Sequence, residues 1–115
     1  MARYNGSCHC GAVRFEIESD LSDPVHCNCS LCIRRSAVMV YVMPEDFSLL
    51  RGEDDLTDYR FKSESTAHSF CRVCGVFPFF HSRWRGEDRY AVNVACLEGV
   101  SPYDLSPRLI DGASF

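Results

Sequence analysis

Residues 6–17 read Gly6-Ser7-Cys8-His9-Cys10-Gly11-Ala12-Val13-Arg14-Phe15-Glu16-Ile17. Apolar and charged side chains alternate from Val13 onward, which is typical of a β-strand with one buried and one wet face. A second cysteine pair, Cys71 and Cys74, lies far along the chain and, like Cys10, is followed by a glycine. We therefore predict a β-protein in which metal-binding thiols join the start of this strand to a distant one.

Seven of the eight cysteines form three tight clusters, namely Cys8 and Cys10; Cys27, Cys29 and Cys32; and Cys71 and Cys74. Zinc held by four thiolates has no vacant position and serves the fold, whereas zinc with three protein ligands keeps a position for water or substrate. Gly11 and Gly75 permit the tight turns that bring paired thiolates onto one ion, so we assign both glycine-bearing clusters to one closed site. The middle cluster is then predicted to be an open zinc site and the place of the chemistry.

Disulfides are the main alternative for a short chain that is rich in cysteine. The N-terminal residues carry no apolar stretch of the signal-peptide kind, and no run approaches the roughly 18 apolar residues that span a bilayer. We therefore expect a cytoplasmic protein with reduced thiols and no membrane partner. A disulfide between cysteines one residue apart would also close a strained ring. Two independent C-x-x-C redox motifs are a further alternative.

Length and charge limit the classes of protein that the chain can belong to. With 115 residues, 46% hydrophobic side chains and no repeat or linker-like stretch, residues 1–115 are expected to form a single domain. The formal net charge of −4 gives no surplus of Lys and Arg for a polyanion. We therefore expect no nucleic-acid partner, and we leave the oligomeric state open.

Hydrophobic spacing elsewhere in the chain is mostly that of strands. Residues 37–43 form an apolar, valine-rich run that predicts a central strand, and Tyr90, Val92, Val94 and Cys96 mark one face of another. Shorter strands are predicted over 47–51, 57–61 and 66–71. A short C-terminal helix is predicted over 102–105, because Ser101 can cap it and Pro102 suits its first position. Residues 30–35 are expected to form a turn or two of helix.

The middle cluster lacks an obvious fourth ligand of its own. His26, His68 and Cys96 are all candidates, and any of them would convert it into a second structural site. Two of them have a plain alternative: Cys96 as a core residue, and His26 as a residue that supports a ligand from behind or lies at the surface. For His68, between Ala67 and Ser69, spacing does not decide whether the side chain lines the site at all. Spacing alone leaves these alternatives open.

Three motifs together resemble the glutathione-dependent formaldehyde-activating enzyme family, which also includes centromere protein V. The first runs from Gly6 to Phe15, and the others are His26-Cys27-Asn28-Cys29-Ser30-Leu31-Cys32 and Phe70-Cys71-Arg72-Val73-Cys74-Gly75. The tail, Asp111-Gly112-Ala113-Ser114-Phe115, resembles the usual family ending with Phe in place of Trp. The resemblance covers nearly the whole chain and implies a mainly β fold, a small zinc-stabilised β-sheet sandwich.

The resemblance also implies which cysteines hold which of two zinc ions. Carried over residue by residue, Cys8, Cys10, Cys71 and Cys74 hold a structural Zn²⁺, while Cys27, Cys29 and Cys32 hold a catalytic one. The sequence departs from many relatives at Ile33, where they carry a basic residue. Arg34 and Arg35 follow and can supply that charge.

The implied activity is that of a carbon–sulfur lyase, similar to S-(hydroxymethyl)glutathione synthase, with glutathione or a related thiol bound as thiolate at the open zinc. Glutathione carries two carboxylates, so the site needs cationic donors, for which Arg34, Arg35 and Arg72 are candidates. The aromatic run 77–80 and Trp84 fit a core better than a binding pocket. The alternatives are a zinc-stabilised binding module without turnover, and a lyase for a thiol adduct larger than that of formaldehyde.

Overall fold

Strands dominate this computed structural model, which describes residues 1–61, 63–84 and 86–115, with backbone alone at 63–65 and 84. The described part contains ten strands: β1 (Ala2–Ser7), β2 (Arg14–Ser19), β3 (Val25–Cys27), β4 (Met39–Val42), β5 (Phe47–Arg51), β6 (Leu56–Phe61), β7 (Ser63–Cys71), β8 (Phe79–Trp84), β9 (Glu87–Asn93) and β10 (Arg108–Ile110). Helix α1 covers Ser30–Arg35. The prediction of a mainly β fold is confirmed.

The strands form two sheets. The smaller one has the order β1-β2-β5, and the larger one has the order β10-β3-β4-β9-β8-β7-β6. Neighbouring strands are antiparallel, except that β10 runs parallel to β3. Among the described residues, no helix is long and apolar enough to cross a membrane.

The main core lies where β2 and β5 of the small sheet face β4, β8 and β9 of the large one. Phe15 and Ile17 of β2 are almost fully buried there, with Phe15 at 0% exposure. The Phe15 ring meets Phe79 edge-on at 5.6 Å between centroids. Burying each such side chain contributes about 2 kcal/mol. The apolar residues of the alternating pattern in β2 therefore form part of the contact between the two sheets.

The small sheet also requires a glycine opposite Phe15. Gly6 pairs with Phe15 across β1 and β2, and a Cβ added at Gly6 would collide with the Phe15 ring. The ring lies across the position that any other side chain would occupy. Gly6 thus leaves room for the tip of the Phe15 ring, the largest buried side chain of β2, beside β1.

Some predicted elements differ from the structure. The strand expected to continue to Cys96 ends at Asn93, so that prediction is wrong at its C-terminal end. The Asn93 side chain accepts a hydrogen bond from the Ala95 N–H at 3.1 Å and starts a 3-10 turn over Val94–Cys96. The expected C-terminal helix is a 3-10 turn over Pro102–Asp104, with Ser101 as its cap.

Candidate metal centres and the cavity beside them

The first cysteine group is built from two similar turns. The Cys8 N–H donates to the Val13 carbonyl at 3.1 Å, and the Cys71 N–H donates to the Val76 carbonyl at 2.9 Å. Each turn contains a glycine with positive φ, 81° at Gly11 and 78° at Gly75. A residue with a Cβ would be strained in that conformation. Each turn therefore presents two thiols on one side of the chain.

The sulfurs of this group fit a tetrahedral ion. The Sγ atoms of Cys8, Cys10, Cys71 and Cys74 lie within 4.8 Å of one another. Cys10 Sγ is 3.7 Å from Cys8 Sγ and 3.7 Å from Cys71 Sγ. Zinc–sulfur bonds of about 2.3 Å imply tetrahedral S–S edges of about 3.8 Å. An all-thiol donor set of this size suits zinc.

Backbone N–H groups point at these sulfurs and favour their thiolate forms. The Val13 N–H lies 3.3 Å from Cys8 Sγ, and the Cys74 N–H lies 3.5 Å from Cys71 Sγ. Hydrogen bonding from the Val76 N–H, followed by that from Cys10, lowers the pKa of the Cys74 thiol to about 6. A thiol of lowered pKa gives up its proton to a metal more readily.

The second group lies at the junction of β3 and α1. Cys27 is the last residue of β3, Cys29 caps the N-terminus of α1, and Cys32 is buried in its first turn. Their Sγ atoms also lie within 4.8 Å of one another. The Cys32 N–H donates to Cys29 Sγ at 3.3 Å, and the Cys29 N–H donates to Cys27 Sγ at 3.4 Å. Three thiols converge without a fourth among the described residues.

Arg35 approaches the second group from inside the protein. Its Nη2 lies 3.2 Å from Cys32 Sγ, and its guanidinium lies 4.0 Å from the centroid of the Phe77 ring. Burial raises the pKa of the Cys32 thiol to about 12, and the charge and hydrogen bond of Arg35 oppose that rise. The positive charge of Arg35 therefore favours the thiolate form of Cys32, which burial disfavours.

The tail of the chain packs against the second group. Asn28 donates to Asp111 Oδ1 at 2.9 Å and accepts from the Ala113 N–H at 2.9 Å. A Cβ at Gly112 would collide with Cys27 Sγ. The parallel pairing of β10 with β3 brings the tail to this position. We call the bonds between Asn28, Asp111 and Ala113 the tail clip.

A cavity of about 200 Å³ opens beside the second group. One face of the large sheet forms much of its wall. Tyr41, Ala91, Phe80 and His68 are paired in turn across four neighbouring strands, so they lie on the same face. That face is turned away from the main core. The cavity is lined by Cys27, Cys29, Cys32, Met39, Tyr41, Phe61, Thr66, His68, Phe80, Ser82, Arg89, Ile110, Gly112 and Phe115.

Sequence reasoning missed several of these residues. Tyr41, Arg89, Thr66 and Ser82 lie on four different strands, and only the strand register shows that they share a face. Among the described residues that line the cavity, Arg89 is the one arginine or lysine. Its guanidinium lies 4.0 Å from the centroid of the Tyr41 ring. Alternation along each strand was the available signal, but it does not say which strands are neighbours.

The three candidate fourth ligands lie in different places. His68 lines the cavity, but it is not part of the group of three converging sulfurs. His26 is exposed. Cys96 Sγ donates to the Phe77 carbonyl at 3.7 Å. Burial raises the pKa of the Cys96 thiol to about 11, with smaller contributions from Cys8 and Cys74. Among the described residues, none of the three joins the second group.

The arginines predicted to bind the thiol also lie in different places. Arg34 is exposed and donates to the Ser30 carbonyl at 2.7 Å. Arg72 forms an ion pair with Asp55 at 3.0 Å, beside the first cysteine group. Arg35 contacts Cys32, but neither it nor Arg34 is among the residues that line the cavity. A role of these arginines in binding a thiol stays a prediction.

The aromatic run behaves largely as core. Phe77, Phe79 and Phe80 are all buried, while Phe80 also lines the cavity. Phe79 belongs to the main core, and the other two pack around Cys32. The side chain of Trp84 lies outside the described part of the structure.

Two comparisons relate the chain to known proteins. The family model described as "Glutathione-dependent formaldehyde-activating enzyme" matches residues 3–110. A crystal structure of a Rhodobacter sphaeroides protein is similar, with 41% sequence identity and a TM-score of 0.83. The match covers 91% of this chain and 97% of that protein.

Proposed function

The chain belongs to the glutathione-dependent formaldehyde-activating enzyme family, and on this premise we propose that it is a zinc-dependent carbon–sulfur lyase. Its substrates would be glutathione or a related thiol and the adduct of that thiol with formaldehyde or another small carbonyl compound. The observation that carries the proposal is the convergence of three thiols at the wall of a cavity. A group with three thiol ligands leaves a position for a substrate, as a four-thiol group does not.

Two zinc ions per chain are part of the proposal. Cys8, Cys10, Cys71 and Cys74 would hold the structural ion, and Cys27, Cys29 and Cys32 the catalytic one. Zinc at the second group would supply an open position that favours the thiolate form of a coordinating thiol. The N–H groups of Cys29 and Cys32 and the guanidinium of Arg35 would keep the protein sulfurs ionised.

The proposed reaction balances without an oxidant or reductant. In the direction of synthesis, a sulfur lone pair forms a bond to the carbonyl carbon. The π pair of the C=O bond moves to oxygen, and the proton lost by the thiol reaches that oxygen through water. In the reverse direction, the C–S bond breaks and the carbonyl compound leaves.

Arg89 is the residue that we assign to the carboxylate of the thiol. It lines the cavity, and its Nε is buried with no hydrogen-bond partner among the described residues. A carboxylate can accept two parallel hydrogen bonds from a guanidinium. Arg89 has an exposed contact with Glu87 at 3.5 Å, a surface pair of the kind that contributes little. The stacking of Arg89 on Tyr41 holds the guanidinium at the cavity wall.

The proposal places the reaction in a reducing, cytoplasmic compartment. All eight cysteines are free thiols in the structure, and glutathione is abundant where thiols stay reduced. Oxidation of either cysteine group would remove its metal ligands. A reducing compartment therefore protects both proposed zinc sites.

The test combines zinc content with turnover of the thiol adduct. We expect two zinc ions per chain in protein purified without chelator, and faster exchange between glutathione, formaldehyde and their adduct than in buffer alone. Cys29→Ala should lose one zinc ion and the catalysed exchange while retaining its fold. Cys96→Ala is the matched control, because this thiol belongs to neither group, and it should keep both properties.

Two results would contradict the proposal. Wild-type protein loaded with two zinc ions that gives only the buffer rate would favour the binding module without turnover. Full exchange activity in Cys29→Ala would show that the chemistry occurs elsewhere on the chain.

A further inference from the structure

His68 has a tautomer that its neighbour determines. Arg35 Nη2 lies 3.3 Å from His68 Nδ1, and a guanidinium carries hydrogen-bond donors only. The Nδ1 atom must therefore be the acceptor in this contact. An imidazole that accepts at Nδ1 is neutral and carries its proton on Nε2.

The surroundings of His68 hold this arrangement in place. The ring lies 4.7 Å from the Phe80 ring between centroids, and the residue is 8% exposed. Arg35 is itself fixed, because its guanidinium stacks on Phe77 and contacts Cys32 Sγ. Burial, with the charge of Arg35 as the second cause, lowers the pKa of His68 to about 4. Packing and charge both favour the neutral ring.

The Nε2 atom remains available to a ligand. Among the described residues, the hydrogen bond of the His68 ring is made at Nδ1, and His68 lines the same cavity as the three cysteines of the second group. A bound carbonyl compound or its thiol adduct carries one oxygen next to the carbon that reacts. That oxygen gains negative charge as the C–S bond forms, so a fixed donor near it would stabilise the transition state.

We propose that His68 is a catalytic hydrogen-bond donor, whose Nε2–H binds the oxygen of the carbonyl substrate or of its thiol adduct, with Arg35 as the positioning residue. This inference rests on the proposed function and adds to it a residue for the substrate oxygen. His68 donates a hydrogen bond without giving up its proton. The sulfur lone pair still forms the C–S bond, the π pair still moves to oxygen, and water delivers the proton.

A neutral imidazole suits this role better than a charged one. A neutral donor polarises the carbonyl group and keeps its own proton through the cycle, a pattern known in other enzymes. An imidazolium would instead add positive charge beside Arg35. Removal of one such donor costs about 10²–10³ in kcat where the oxygen carries most of the developing charge.

The first test is the tautomer, which needs no activity. Nitrogen NMR of the histidine-labelled, zinc-loaded protein distinguishes imidazolium from each neutral tautomer, and the loss of a signal in His68→Asn assigns it. We expect the neutral Nε2–H form of His68 at neutral pH. An imidazolium, or a neutral ring protonated on Nδ1, would overturn the inference.

The second test compares two amides at one position. In His68→Asn the side-chain oxygen can still accept from Arg35, but nothing replaces the Nε2–H. In His68→Gln the amide N–H reaches the place of Nε2. We expect kcat to fall about 100-fold in the first variant with KM nearly unchanged, and about tenfold or less in the second. His81→Gln is the control, since His81 lies on β8 outside the cavity, and its kcat should stay near wild type.

Other outcomes would identify a purely structural role. Equal losses in both His68 variants, or a loss confined to KM, would overturn the catalytic assignment. Weaker binding of S-methylglutathione to His68→Asn would do the same. The methyl carbon on the sulfur of that ligand carries no oxygen, so the ligand has no atom that would accept the proposed hydrogen bond from His68. Exchange no faster than in buffer in the wild-type protein would overturn the proposed function, whereas wild-type turnover with an unaffected His68→Asn would overturn this inference alone.

Discussion

Gly112 illustrates how closely the tail approaches the second cysteine group. Its Cα lies where a single added methyl group would overlap Cys27 Sγ and press on Cys29 Cβ at 3.3 Å. The residue is buried, whereas the residues on either side of it are exposed. Close packing of this kind leaves little room for the neighbouring atoms to relax. Gly112 is therefore needed for its small size.

We predict that Gly112→Ala weakens zinc binding at the second group by tenfold or more. The new methyl group must displace either the Cys27 sulfur or the tail, and both changes disturb the ligand geometry. Competition with a coloured chelator measures the affinity. Ala113→Ser is the control, because Ala113 is exposed. Equal zinc affinity in both variants would show that the tail can move aside without disturbing the ligand geometry.

The lowered pKa of His68 predicts a pH dependence of stability. His68 has a pKa of about 4 in the folded state against an ordinary value of 6.5. Protonation thus favours the unfolded chain, and the contribution is present above pH 6.5 and lost as the pH falls towards 4. Between about pH 7.5 and 5.5, wild type should lose about 1 kcal/mol more unfolding free energy than His68→Asn. Denaturant unfolding at constant zinc measures this difference, and parallel losses in the two proteins would contradict it.

At the scale of elements, the large sheet presents two different faces. Alternate residues of β4, β8 and β9 enter the main core, and the residues between them line the cavity. Val40 and Val92 belong to the first set, while Tyr41 and Arg89 belong to the second. One sheet therefore contributes both to the stability of the sandwich and to the site. A shift of register by one residue would exchange these sets.

Arg89 allows a test of the cavity face of β9. We predict that Arg89→Gln weakens glutathione binding tenfold or more, since a charge-assisted hydrogen bond contributes about 1.5–3 kcal/mol. The affinity for the diethyl ester of glutathione, which lacks both carboxylates, should fall much less in the same variant. Arg3→Gln is matched to it, because Arg3 also pairs with an exposed glutamate, Glu18, and lies on the small sheet. Calorimetric titration measures both ligands, and equal losses for acid and ester would contradict the assignment.

At the scale of the whole molecule, the first cysteine group connects the two sheets. Cys8 and Cys10 lie between β1 and β2 of the small sheet, and Cys71 is the last residue of β7 in the large one. A metal ion held by all four thiols would join the sheets directly. Structural zinc contributes about 10 kcal/mol or more of binding free energy. Domains of ordinary size are stable by about 5–15 kcal/mol in total.

We therefore predict that loss of the first site unfolds much of the protein and that loss of the second does not. Cys10→Ser tests the first site with little disturbance of packing, because Cys10 is exposed, and it should abolish or strongly lower the thermal transition. Cys29→Ser should lower it only slightly. Thermal unfolding by circular dichroism measures both variants. Similar transitions in the two variants would argue against separate structural and catalytic ions.

Sequence and structure agree best where spacing carries the information. The three cysteine clusters, the alternation of β2 and the bounds of β5 all follow from neighbouring residues. The cavity wall does not, because Tyr41, His68 and Arg89 meet only through the order of the strands. The three-residue strands β3 and β10 escaped prediction too, since so few residues show no periodicity.

The tail clip also bears on the order in which the protein would acquire the two proposed metal ions during synthesis. A growing chain holds every ligand of the first group once Cys74 has been added. The second group has its three sulfurs much earlier, yet Asn28 must wait for Asp111, a partner 83 residues further along. The ion proposed for the first group could thus bind to a nascent chain in which the cavity beside the second group is still incomplete. The order of synthesis would thus let the proposed structural site form before the proposed catalytic site is complete.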